Sequence, residues 1–149
     1  MIQIDVDIDV QDRIGSKAKR GVEKYLLDGA QVGQNRAMEE VAEDRGTLRM
    51  SLAQFVPELR GQEVVWGTQD APHALPIERG TRGFYPPLQP LLEWSKRVTG
   101  DTGLGYYVAR VKIPEEGIDA NPFLEPGAEA QASWYSRKDI SEYIQDELR

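Results

Sequence analysis

The residues able to do chemistry in this chain are few, and their spacing excludes most reactions. There is one histidine, His73, and no cysteine, so no disulfide framework or thiolate metal site can form. A lone histidine where a loop meets a short apolar segment fits a structural role better than a catalytic one. The paired acids Glu39/Glu40 and Glu115/Glu116 are adjacent in sequence, and helix neighbours do not face each other across a substrate. Asp5, Asp7 and Asp9 have the alternate spacing that opens a calcium loop. The positions where an EF-hand requires Gly and Glu are instead Val10 and Ser16. Gly100, Gly103 and Gly105 run G-x-x-G-x-G, the wrong order for a dinucleotide fingerprint, and neither G-x-S-x-G nor a P-loop occurs. The expectation is a chain that is not an enzyme and holds no cofactor or metal. A hydrolase would need a convergent acid–base pair that the sequence does not offer.

The stretch best suited to contact is His73–Pro90, HALPIERGTRGFYPPLQP. A short apolar segment leads to Glu78 and Arg79, then to Gly80-Thr81-Arg82-Gly83, the aromatic pair Phe84-Tyr85, and Pro86-Pro87. Two glycines three apart allow backbone angles that other residues resist, and the prolines stiffen the far end of the stretch. The pattern predicts a positioned contact arm over about residues 79–90, its glycines suggesting that order arrives on binding. Its P-x-x-P could bait a proline-reading domain, but a stiff loop leading into a helix explains it more simply.

Around that arm, 149 residues suffice for a single domain with a real core. No run of 18 apolar residues exists, so no membrane partner is expected. The first residues carry neither a basic region nor an apolar one, so no signal peptide is expected. A net charge of −7 argues against non-specific nucleic-acid binding, which needs a basic surface. It is compatible with the wall of a conduit that repels phosphate. Twelve arginines against six lysines in an acidic chain suit a high-salt host, and suit an ordinary acidic protein equally well.

The alternation of Ile2, Ile4, Val6, Ile8 and Val10 predicts a half-buried strand with the aspartates on its wet face. Asp12 to about Asp44 reads as a long helix, capped by Asp12, stopped by Gly46, and striped by Ile14, Ala18, Val22, Leu26, Ala30, Gly33, Ala37 and Val41. Gly29, Gly33 and Ala37 share a face: either the helix breaks near Gly29 or another element packs very close, the second being favoured. Thr47–Val56 and Glu63–Thr68 read as strands of a hairpin, whose loop over 56–62 is a second candidate contact or a plain turn. Ala74–Glu78 reads as a short edge strand. Pro87–Thr99 reads as a helix with Leu88, Leu91, Leu92, Trp94 and Val98 on its apolar side. Leu104–Lys112 fits helix or strand by period. Ile118–Leu124 reads as a connector, and Gly127–Arg149 as helical with a kink at Ser136–Asp139. The expected fold is α+β: a small antiparallel sheet packed by a long N-terminal helix and C-terminal helices.

Three motifs in this order resemble a known family. HALPIERGT resembles the signature YA-x-x-(V/I)-E-x-GT of the tail-completion, or head–tail joining, family of long-tailed phages, with His73 in place of the tyrosine. Upstream, Asp44-Arg45-Gly46-Thr47-Leu48-Arg49-Met50-Ser51-Leu52 resembles its TG-x-L-R-x-S-I. Downstream, Asn121-Pro122-Phe123-Leu124-Glu125-Pro126-Gly127-Ala128 resembles its PF-L-x-P-A, with one extra glycine; a helix usually precedes that motif in the family, so the resemblance implies a helix over Leu104–Lys112, ended by Pro114. The resemblance implies a structural virion protein, assembled in the host cytoplasm. It would form a homo-oligomeric ring, commonly a hexamer, at the head-proximal end of the tail tube. Its partners would be other copies of itself, the tail tube protein and the head connector or adaptor proteins, with DNA passing through unbound. With the acidic composition, a virus of a halophilic archaeon becomes a candidate source. Glu78, Arg79, Thr81 and Arg82 would then pair with a neighbouring protomer and Phe84 and Tyr85 would anchor in its apolar pocket, whereas Phe123 and Leu124 suit the core better. The same neck could instead use the chain as a tail terminator or connector-side adaptor. A small acidic cellular binding module is the alternative from another class.

Overall fold

A computed structural model describes residues 8–41, 46–60 and 63–149, with side chains from residue 13 onward. The fold is α+β, dominated by helices, with one small antiparallel sheet. Helix α1, Ile8–Glu40, is the rod on which the rest is laid. At about 1.5 Å per residue, its 33 residues reach about 50 Å. Residues 1–7 and 42–45 lie outside the described residues, and with them most of the predicted first strand and the acids Glu43 and Asp44. Ile8–Val10 are helical, so Asp12 falls inside α1 rather than capping it.

The buried face of α1 follows an i+4 ladder: Gly21, Tyr25, Gly29, Gly33, Ala37 and Val41. The predicted stripe matches this face in its second half. Its first half turns by one position, leaving Ile14 exposed, because Gly21, Tyr25 and Gly29, and not the aliphatic stripe, face the partner helices. Those partners are α7, Leu124–Arg137, and α8, Ile140–Leu148, which run back along α1. A Cβ on Gly33 would sit 2.9 Å from the Gly127 carbonyl oxygen, and one on Gly127 would sit 2.6 Å from that of Gly33. The close approach favoured from the sequence is therefore real, and α1 does not break at Gly29, where the Tyr135 ring occupies the space a side chain would need.

Aromatic hydroxyls bolt the three helices together. The Tyr25 hydroxyl donates to the Tyr135 carbonyl (3.0 Å), that of Tyr135 to the Leu26 carbonyl (2.6 Å), and that of Tyr143 to Asp28 Oδ2 (2.9 Å). The rings of Tyr25, Trp134, Tyr135 and Tyr143 lie 5.1–6.2 Å apart in tilted and edge-on pairs. Burial, then the hydrogen bond to the Asp28 carboxylate, pushes the Tyr143 phenol up to about 12. Burial also raises Tyr135. The predicted kink is a break at Lys138 and Asp139, where Asp139 Oδ1 caps α8 by accepting from the Ser141 N–H (2.9 Å).

Thr47–Gln54 is helix α2, not a strand. Leu48, Met50 and Leu52 alternate, but the structure buries Leu48, Ser51 and Leu52, the i, i+3, i+4 set, and leaves Met50 57% exposed. Gly46, the expected stop of α1, instead leads into α2 with φ 70°. The buried Gln34 amide donates to the carbonyls of Leu52 and Phe55, satisfying α2's C-terminal end. The hairpin is not the expected one: β1, Glu58–Arg60, lies in the stretch read as its loop and pairs with β2, Glu63–Val65, in the register Leu59–Val64.

Ala74–Arg79 is helix α3, also in place of a predicted strand. Pro76 fits its first turn, where no intrahelical N–H is needed, and Ala74 and Ile77 turn to the core. Helix α4, Leu88–Thr99, matches its prediction except that Val98 is exposed, while the buried Ser95 donates to the Asp101 carbonyl (2.7 Å). Gly103–Tyr107 (α5) continues through a widened π-turn, Val108–Lys112, into α6, Ile113–Glu116. Pro114 therefore does not end the helix. It lacks the N–H that the Arg110 carbonyl would accept, and the preceding turn widens. Gly117, at φ 80°, ends it.

Candidate interaction surface

Three distant segments converge at the C-terminal half of α1. Leu48 and Leu52 of α2, Ala74 of α3 and Phe123 form one core with Ala37 and Val41, backed by Ile77 and Leu124. Phe123 is fully buried, as expected of a residue that seats the last helices. Each of the three sequence motifs contributes to this cluster.

Glu78 is the hinge pin of that convergence. Its Oε2 accepts the N–H of Phe123 (2.7 Å) and of Leu124 (2.8 Å), and its Oε1 that of Glu125 (2.8 Å). A helix leaves its first N–H groups without internal partners and carries a positive dipole end there; one carboxylate answers both for α7. Asn121 N–H donates to the Ile77 carbonyl (2.8 Å) beside it. Glu78 is thus engaged inside the chain, whereas the sequence reading has it pair with a neighbouring protomer. Its partners lie 45 to 47 residues away, so no local spacing reveals them.

Thr81 is likewise turned inward. Its N–H donates to the Ile118 carbonyl (2.8 Å), and its hydroxyl accepts the Ile118 N–H (3.1 Å). Farther along the arm, Phe84 N–H reaches the Ile113 carbonyl (3.4 Å) and Arg110 Nη1 reaches the Pro86 carbonyl (3.4 Å). The arm is thereby stitched at 81, 84 and 86 to 118, 113 and 110. Gly117 lets it lie flat: a Cβ there would strike the Thr81 carbonyl, and φ 80° disfavours any other residue. These bonds tie the arm to residues 110–118 of the same chain.

What the stitched arm leaves outside is Arg79, Arg82, Phe84 (39% exposed) and Tyr85 (76%). On the helix that carries Arg110, Tyr106 and Tyr107 are more than half exposed, and Leu104 and Val111 are exposed too. At the base of the arm Arg79 and Arg82 share an open groove of about 360 Å³ with Glu116 and Asp119. Sequence reasoning picked out Phe84 and Tyr85 but missed Tyr106, Tyr107 and Arg110. The undecided period of Leu104–Lys112 hid the face they share.

The second candidate contact, near the hairpin, has a polar hollow of about 570 Å³ lined by Phe55, Val56, Glu58 and Arg60 among others. The Glu58–Arg60 ion pair (2.6 Å) sits on its wall. His73 is exposed at the start of α3. Among the described residues, no group of three or more His, Cys, Asp or Glu is placed to hold a metal ion, and no helix is long and apolar enough to cross a membrane. No protein-family model, curated protein or solved structure matches the chain.

Proposed function

We propose that this chain is a structural protein of a viral neck. It forms a ring at the head-proximal end of a tail tube and joins the tail to the head connector around the DNA path. The work is assembly, not catalysis. The observation that carries the reading is the convergence of the three motif segments into one core and one cap, with the arm pinned to that core and its aromatic tip turned outward. A ring protein needs a rigid body and a preformed contact element, since a contact that is already ordered loses less entropy on docking. Phe84 and Tyr85 are the anchors of that contact, with Arg79 and Arg82 at its base. Glu78 and Thr81 hold the arm in place and do not themselves meet the neighbour.

The test is joining. Arg82→Glu with Phe84→Ala should leave the monomer folded, because both side chains are exposed, and should block the union of tails with heads. Normal infectious particles from that double variant would refute the reading. Co-purification of the unaltered protein with tube or with tail-less heads separates a tail-side role from a connector-side one.

A further inference from the structure

We infer that residues Ile2–Val6 of one copy of the chain add a third strand to the β1 edge of a second copy, so that neighbours are joined by exchanged strands. The inference rests on the assembly reading above and adds a contact that the arm does not make.

The sheet is unfinished. It has two strands, and no other described segment pairs with either. A two-residue turn makes its flanking residues, here Arg60 and Glu63, a hydrogen-bonded pair, and such pairs alternate along an antiparallel ladder. Glu58 and Arg60 thus aim their backbone groups at β2, and Leu59, between them, aims its N–H and carbonyl away from it. Among the described residues neither of these two groups has a backbone partner. An extended segment can take up such an edge, its backbone supplying the bonds and its alternate side chains the selectivity. Leu59 and Val64 are half-buried on one face of the sheet, and Glu58 and Arg60 are exposed on the other. A matching strand is therefore apolar on one face and polar on the other.

Outside the described residues, Ile2, Ile4 and Val6 alternate with Gln3, Asp5 and Asp7 just ahead of α1. Charge sets their direction. With Ile4 beside Leu59 and the strands parallel, Gln3 falls beside Glu58 and Asp5 beside Arg60. The antiparallel alternative puts Asp5 beside Glu58, and like charges side by side are unfavourable. In the parallel arrangement the Leu59 N–H donates to the Gln3 carbonyl, and the Leu59 carbonyl accepts the Asp5 N–H.

Reach decides which copy supplies the segment. Trp66, just after β2, packs on Gly33, and the Phe55 carbonyl, just before β1, accepts from the Gln34 amide. The base of the hairpin thus sits at Gly33 and Gln34 of α1. Ile8, where α1 starts, lies about 39 Å of helix away from Gln34. Ile4 lies within about 14 Å of Ile8, and Leu59 within about 14 Å of Phe55, each pair being four residues apart. The two spans together fall short of the distance, so the segment cannot complete its own sheet. Each copy then has one segment to give and one edge to fill. Such an exchange propagates from copy to copy and closes into a ring where the rotation allows.

The chain has no cysteine, so an engineered pair reports the contact directly. In the full-length protein, Ile4→Cys together with Leu59→Cys, oxidised, should give bands at multiples of 16.8 kDa that vanish on reduction. Mass spectrometry of the peptides should find position 4 joined to position 59. Mixing the two single variants should give the same joined peptides in a pair of chains. A link inside one chain, links of 4 to 4 or 59 to 59 alone, or no link at all overturns the inference. Asp5→Pro removes the N–H that the Leu59 carbonyl accepts and lies ahead of α1, so circular dichroism should be unchanged. Light scattering should show that it needs about ten-fold more protein to assemble. If it assembles like the unaltered chain, the inference is overturned while the ring reading stands. An unaltered chain that stays single at every concentration overturns it too, and failure to bind isolated tails would then remove the ring reading as well.

Discussion

The six tyrosines divide into two sets of three with opposite surroundings. Tyr25, Tyr135 and Tyr143 lie between α1, α7 and α8, each hydroxyl bonded to a group on another element. Tyr85, Tyr106 and Tyr107 stand around the arm with more than half of their surface in solvent. One chemistry thus serves two ends. Inward, the ring supplies buried area and the hydroxyl a bond that fixes helix register. Outward, the same amphipathic side chain waits for a surface to cover it. The backbone also differs. The inner set is flanked by glycines that let helices touch, whereas the outer set sits on a loop stitched to a helix widened before Pro114. On the proposed reading, stability and contact belong to different halves of the molecule, and substitutions should separate them.

The largest expected effect comes from the inner set. Tyr25→Ala removes a ring packed on Trp134, Tyr135 and Tyr143 and should cost about 3–5 kcal/mol, read as a lower midpoint in urea unfolding. A loss below about 1 kcal/mol would show that the clamp is not where stability resides. Glu78→Ala, at the pin between the halves, strands three N–H groups of α7 and should cost about 2 kcal/mol. An unchanged midpoint with lost assembly would return Glu78 to the partner surface.

Alkaline unfolding gives a smaller, directional effect. The folded chain holds the Tyr143 proton up to about 12, above the ordinary value of 10. Its contribution is complete below pH 10 and drains away between pH 10 and 12, as the unfolded chain ionises first. Tyr143→Phe should flatten the fall in stability across that window and lower neutral stability by about 1 kcal/mol. A variant that declines as steeply as the parent would assign the slope to other groups. Smallest of all, Tyr85→Ala should shift stability by no more than about 0.5 kcal/mol while abolishing assembly. If it unfolds the protein instead, the two sets are not separate.

Much of this layout was legible in the sequence. The length of α1, the second half of its stripe and the amphipathic Leu88–Thr99 segment agree with the structure, and of the two readings that the Gly29–Gly33–Ala37 face allowed, the close approach is the one observed. Thr47–Gln54 pointed the wrong way. Leu48, Met50 and Leu52 satisfy period two, and what decides against it is Ser51, a polar residue buried by its bonds with the backbone of Gln69, 18 positions off. Ala74–Arg79 is too short for periodicity to choose. The roles of Glu78 and Thr81 depend on Phe123 and Ile118, which only the fold brings near. Phe84 and Tyr85 were readable as exposed residues because two aromatics between glycines and prolines have no local core to enter. Tyr106 and Tyr107 lacked that signature.

The central claim is that the outward set is an assembly surface, and the mass of the purified protein in solution, at low and at molar salt, tests it most directly. A closed multiple of 16.8 kDa in at least one condition, falling to a single chain on Tyr85→Ala, is the predicted result. A single chain at both salts, with no binding to isolated tails, would contradict it.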